Sequence, residues 1–131
     1  MKKYALWIIA LVIIVFGVIW LSSERAVAPG VDVATIAQQV VDGDAVLLDV
    51  RTEAELASDG YALNSTHFDL ARLTAGELPD VERGVKIYTY CKGGVRAAEA
   101  EKILEAAGFT DVTSIGGLAD WETSGGVIVR E

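Results

Sequence analysis

Hydrophobic positions along the chain follow two regimes. Residues 4–21 pass without a single charge, whereas beyond Gly30 apolar residues recur in short periodic sets separated by polar breakers. Asp32 suits a helix N-cap, and Val33, Ile36, Ala37 and Val40 follow at helical spacing until Gly43 stops the pattern. Residues 45–50, A-V-L-L-D-V, form a nearly continuous apolar run, which predicts a strand buried on both faces. Thr52 and Glu55 have capping-box spacing, so a short helix is predicted to begin there. Residues 60–80 read as irregular, with Asn64, Ser65, Gly76 and Pro79 as breakers. A second strand, 85–90, runs directly into Cys91. Ala100, Ile103, Leu104 and Ala107 then mark a helix face opposite Glu99, Glu101, Lys102 and Glu105, and Gly108 closes it. A third strand is predicted over 112–115, followed by Gly116-Gly117 and a short turn containing Trp121; Phe109 and Trp121 are expected to anchor the core. This alternation of strands and helices predicts an α/β domain built on a parallel sheet, and no internal repeat interrupts it.

Charge divides the chain at the same place. The first 29 residues hold Lys2, Lys3, Arg25 and Glu24, a net of +2, which leaves −10 for the remainder of a chain whose formal charge is −8. An apolar head thus precedes an acidic body of ordinary single-domain size, long enough to bury a core. An acidic body without a Lys/Arg stripe disfavours nucleic-acid binding. One cysteine, Cys91, excludes an intrachain disulfide and a multi-cysteine zinc site.

The head has the length of a membrane span. Eighteen residues make a helix of roughly 27 Å, close to a bilayer core of roughly 30 Å. Two lysines precede the span and one arginine follows it, which favours a cytoplasmic N-terminus and a body on the periplasmic or extracellular side. Trp7 and Trp20 sit near the two ends. The competing reading is a cleavable signal peptide ending at Ala26-Val27-Ala28, which would leave a soluble periplasmic domain. The expected organisation is an anchor and linker over 1–29 and one domain over 30–131.

Candidate chemistry concentrates in Cys91-Lys92-Gly93-Gly94-Val95-Arg96. Cys91 stands at the carboxyl end of a predicted strand, the edge where open α/β sheets place their ligands. Gly93 and Gly94 are expected to turn the backbone so that the N–H groups from Lys92 to Arg96 converge as an anion-binding nest. A helix starting near Val95 adds partial positive charge at the same point, and Lys92 and Arg96 add formal charge. Each of these favours the thiolate, the nucleophilic form of Cys91. The same donors suit an anionic substrate, which Arg96 would grip bidentately.

With these residues in view, the chain resembles a single-domain rhodanese, a sulfurtransferase module. L-L-D-V-R at 47–51 is similar to the first family signature, and C-K-G-G-V-R at 91–96 fits the six-residue active loop. A-A-G-F-T-D-V at 106–112 resembles the helix-to-strand connection, and I-G-G-L-A-D-W at 115–121 the closing element. The resemblance implies a rhodanese-like α/β fold with a central parallel sheet flanked by helices. It also implies a cysteine persulfide mechanism: Cys91 takes a sulfane sulfur from a small anionic donor such as thiosulfate and passes it to cyanide or a thiol, and a protein persulfide partner fits the same chemistry. No cofactor or metal is implied. Asp49 and Arg51 match the D-V-R of the first signature, where they resemble structural support for the loop. The family's usual G-H-I-P-G-A-x-N stretch is replaced by Gly60-Tyr61-Ala62-Leu63-Asn64-Ser65-Thr66-His67-Phe68, so the pocket should differ in shape. His67 is the one histidine and is read as structural, because transfer through a preformed thiolate needs no base. Loops of cysteine phosphatases and arsenate reductases, the nearest enzymatic rivals, resemble C-x5-R; here four residues separate Cys91 from Arg96. A non-catalytic binding or carrier module is the other alternative.

Overall fold

The computed structural model describes residues 32–131. The apolar run 4–21 and the boundary between 1–29 and 30–131 lie outside these residues. Among the described residues no helix is long and apolar enough to cross a membrane.

Helix α1 (Val33–Val41) opens the fold, with the Asp32 carboxylate accepting from the Ala34 N–H at its N-terminus. Strand β1 (Ala45–Asp49) follows, then α2 (Glu53–Asp59), where Thr52 and Glu55 form a complete capping box. Strand β4 (Lys86–Cys91), helix α4 (Val95–Ala106) and strand β5 (Val112–Gly117) form the second half. Residues 60–80 are more ordered than the sequence predicts. They contain two-residue strands β2 (Tyr61–Ala62) and β3 (Thr66–His67) and a helical turn α3 (Leu70–Thr74). Elements this short carry no periodicity to detect, and β3 exists because its backbone pairs with β1. The turn expected around Trp121 is a helix, α5 (Leu118–Thr123), and it is followed by an unforeseen strand, β6 (Ile128–Val129).

The main sheet has the order β3-β1-β4-β5, with every pairing parallel. Strands β2 and β6 form a separate antiparallel pair. Side chains alternate across the sheet with the period of a strand. On β4, Ile87 and Cys91 join Leu48, Val50, Phe68, Leu73, Ala97, Ala100 and Leu104 on the face covered by α3 and α4. Tyr88 and Tyr90 turn the other way, toward Ile36, Leu47, Ala62, Ile115, Leu118 and Trp121. Helices on both faces make a double-sided core, which is why β1 and β4 read as near-continuous apolar runs. Trp121 fixes the last turn: its indole N–H donates to Val127 O at 3.3 Å, and any Cβ at Gly126 would fall 2.2 Å from the indole nitrogen.

Candidate functional site

Strand β4 delivers Cys91 to the carboxyl edge of the sheet with the thiol free and the residue 1% exposed. Its Sγ accepts a hydrogen bond from the Gly94 N–H at 2.9 Å. That contact depends on Gly94 having φ +102, a left-handed conformation that turns the chain from the loop into α4. Of the loop N–H groups expected to converge on the sulfur, Gly94's makes the hydrogen bond. Gly93 corrects the sequence reading. Its φ is not in the left-handed region and a Cβ there would meet nothing within 4 Å, so the turn depends on one glycine of the pair.

The loop rests on the second Gly-Gly pair. A Cβ at Gly94 would lie 3.4 Å from Gly116 Cα, and a Cβ at Gly117 would fall 2.1 Å from Lys92 O and 2.8 Å from Lys92 C. Gly117 is therefore needed for close approach of two backbones, not for its conformation, because its φ of −116 is ordinary. The sequence showed Gly116-Gly117 only as a breaker after a strand.

Arg96 does something other than expected. Its guanidinium donates Nη1 to Glu55 Oε2 and Nη2 to Glu55 Oε1, both at 2.7 Å. Sequence reasoning assigned this bidentate grip to a substrate; the structure gives it to a carboxylate of α2. The pairing holds the Glu55 carboxyl well below the usual carboxylate range, the Arg96 hydrogen bonds being the largest cause and the Thr52 bonds adding to it against burial. Reciprocally, Arg96 is raised above its ordinary value, chiefly by its hydrogen bonds to Glu55. Glu55 was legible only as the partner of Thr52 in the capping box. Spacing within a helix turn cannot reveal a partner 41 residues away. Lys92 and Val95 project outward from the loop, Val95 being 81% exposed.

Behind the loop, on the sheet face opposite Cys91, lies a buried polar network. Asp49 and Arg51 are both 0% exposed and pair through Arg51 Nε to Oδ1 at 3.0 Å and Nη2 to Oδ2 at 2.7 Å. The Tyr90 hydroxyl donates a short hydrogen bond to Asp49 Oδ2, and itself accepts from the Ala62 N–H at 3.0 Å. Burial first, and then the Asp49 carboxylate, hold the Tyr90 phenol above its ordinary range, so it stays a donor. Arg51 Nη2 also donates to Gly60 O at 2.7 Å, and the His67 ring Nε2 lies 2.6 Å from Arg51 O. The network ties β1, β4 and the 60–67 segment together under the loop. Nothing local marks Tyr90 as a member, because its partners Asp49 and Ala62 lie 41 and 28 positions away and its side chain points to the face opposite Cys91. Among the described residues no cluster of three or more His, Cys, Asp or Glu side chains could hold a metal ion.

Residues 32–124 match the family of rhodanese-like domains. No curated protein matches the chain. Among solved structures it is similar to a rhodanese-related protein from Thermoplasma volcanium, at 28% identity and TM-score 0.64 over 77% of this chain and 97% of that one. It is also similar to RPA3614 from Rhodopseudomonas palustris, a protein of unknown function described as a possible tyrosine phosphatase: 28% identity, TM-score 0.60, covering 74% of this chain and 81% of that one. The human single-domain sulfurtransferase TSTD1 shares the fold at 20% identity and TM-score 0.62, covering 73% of this chain and 96% of the other.

Proposed function

This chain belongs to the family of rhodanese-like domains, and from that premise we propose that it is a sulfurtransferase working through a persulfide on Cys91. The observation that carries the reading is the Gly94 N–H on Cys91 Sγ, in a loop turned by Gly94 and seated on Gly116 and Gly117. An N–H aimed at the sulfur stabilises negative charge there, first on the thiolate and then on the persulfide. In the first half-reaction the Cys91 thiolate attacks the outer sulfur of thiosulfate. A new S–S bond forms, the donor's S–S bond breaks, and its electron pair leaves with sulfite. In the second, an acceptor such as cyanide or a thiolate attacks the outer sulfur of the persulfide, and the electron pair of the broken bond returns to Cys91. No external oxidant or reductant is required. Coupling of Arg96 to Glu55 speaks against the phosphatase alternative, because both terminal nitrogens of the one loop arginine are already given to a carboxylate.

Mass spectrometry of the full-length chain after exposure to thiosulfate tests the reading. The expected result is a gain of one sulfur that cyanide removes and that Cys91→Ser lacks. Absence of any adduct with thiosulfate, polysulfide or a persulfidated protein as donor would replace this reading with that of a binding module. The uncharged run 4–21 supports a further part of the proposal, that the domain is held at a membrane and faces the periplasmic side. Protease accessibility of the domain in intact and permeabilised cells tests that placement, and recovery of a mature chain starting at Pro29 would replace the anchor with a cleaved signal.

A further inference from the structure

One nitrogen of the buried network has no partner. Arg51 is 0% exposed, and its Nε and Nη2 are taken by Asp49 and Gly60, but Nη1 has no hydrogen-bond partner among the described residues. A buried guanidinium N–H left unpaired costs about 1–3 kcal/mol, so the position requires an explanation. Arg51 lines an open cleft of about 400 Å³ whose other walls are Ser58, Asp59, Lys92, Leu118, Ala119, Glu122 and Arg130. Three of the eight basic residues after Gly30 therefore meet at one cleft on a body of net charge −10.

The three cations differ in how free they are. Arg130 is gripped by Glu122 through two contacts of 3.0 Å. Lys92 is an exposed loop residue with its ammonium unpaired among the described side chains, and Arg51 Nη1, buried behind the cleft wall, is the one nitrogen its own partners leave over. Asp59 contributes a carboxylate to the wall, but Ser58 donates to its Oδ1 at 3.1 Å. Leu118 and Ala119 supply a short apolar flank. A fixed N–H donor, an exposed unpaired ammonium on the same cleft and an apolar flank are the complement of a small carboxylate on an aliphatic stem. A sulfate or doubly charged phosphate would bring two charges to a cleft where Arg51 is already balanced by Asp49 and Lys92 supplies one, and it would do so next to Asp59.

We propose that this cleft is a binding site for a small carboxylate ligand, with Arg51 Nη1 and Lys92 as its anchors. The site is separate from the sulfur. Cys91 is not among the lining residues and its side chain packs on the opposite face of the sheet, while Lys92, its neighbour in the chain, forms the boundary between the two. Two sources of the carboxylate fit this position: the acidic end of a thiol acceptor that reaches over Lys92, or a separate organic acid seated beside the loop.

The test uses full-length protein with two probes, 3-mercaptopropionate, which carries the carboxylate, and 2-mercaptoethanol, which does not. The Arg51 Nε–H resonance is followed in two-dimensional NMR during titration. The expected result is a saturable shift in the millimolar range with 3-mercaptopropionate, none with 2-mercaptoethanol, and at least about tenfold weaker binding in Ala119→Glu, which sets a like charge on an exposed wall residue. Ser58→Glu does the same from the opposite wall and serves if Ala119→Glu fails to fold. An Arg51 resonance that does not move, or that moves equally with both probes, overturns the site. This measurement needs no persulfide, so it stands or falls apart from the sulfurtransferase reading. Discharge of the Cys91 persulfide then separates the two sources: about tenfold lower half-saturation for 3-mercaptopropionate, lost in Ala119→Glu with cyanide turnover unchanged, identifies the acceptor's own carboxylate. Equal discharge by both thiols despite the shift identifies a separate acid.

Discussion

Replacing Gly117 by alanine tests whether the loop is set by its own residues or by the backbone it rests on. The added Cβ would lie 2.1 Å from Lys92 O, 2.8 Å from Lys92 C and 3.3 Å from Gly93 N. All three neighbours are backbone atoms, so no side chain can rotate away. Restoring ordinary contact requires β5 and the loop to part by about 1.4 Å, since such contacts settle near 3.5 Å. That displacement falls on the residues flanking the 2.9 Å bond between Gly94 N–H and Cys91 Sγ. A misplacement of about 1 Å near reacting atoms lowers rate by about a hundredfold, and overpacking costs about 1–3 kcal/mol. Gly93→Ala is the control, because its Cβ would enter open space and its φ is not in the left-handed region. Two assays read the pair: kcat/KM for sulfur transfer from thiosulfate to cyanide, and the rate of Cys91 alkylation by iodoacetamide, which presumes no function. Gly117→Ala should be severely slowed in the first and altered in the second, with Gly93→Ala close to the parent in both. If Gly117→Ala stays within about threefold of the parent, or Gly93→Ala is equally damaged, the loop is not seated as described.

Three further expectations follow from the pairings. Glu55→Gln should cost about 1–2 kcal/mol at neutral pH through the weakened cap and the lost partner of Arg96, measured by urea unfolding. Because the folded Glu55 carboxyl is held below its ordinary value, that contribution is complete above the unfolded value of about 4.3 and declines below it, so the gap between parent and variant should narrow toward pH 3; a constant gap would refute the charge contribution. Asp49→Asn strands the Arg51 charge at 0% exposure and should destabilise by about 3–5 kcal/mol, again by urea unfolding; a loss under about 1 kcal/mol would mean the pair is not closed in solution. Turnover of thiosulfate should rise with moderate salt, as the −10 body repels the anion beyond about one Debye length of 8 Å; a flat or falling profile contradicts that account.

What the sequence disclosed follows the range of each signal. Helix α1, strands β1 and β4 and helix α4 announce themselves because burial on one or two faces imposes periodicity over several turns or a whole strand. The Asp32 cap and the Thr52–Glu55 box are local and equally plain. Strands β2, β3 and β6 are two residues long and exist only through partners elsewhere in the chain, so nothing local encodes them. The site divides the same way. The position of Cys91 at a strand end and of a glycine turn after it could be read directly, whereas the engagement of Arg96 by Glu55, the seating of Lys92 on Gly117 and the bond from Tyr90 to Asp49 link residues 25 to 41 positions apart. Chemistry suggested that Arg96 holds an anion, and it does; the anion is the protein's own.

The pairing of β2 with β6 has a consequence in time. Gly60, whose carbonyl holds Arg51, is pressed against Val129 O so closely that a Cβ would fall 2.3 Å from it. Synthesis delivers the parallel sheet, the cysteine loop and α5 before Ile128 and Val129 emerge. A nascent chain can therefore shape its thiol loop early, while the segment that holds the arginine beneath it waits for the slowest contact to close, one spanning most of the domain. β6 is thus the latch that completes the floor beneath the loop.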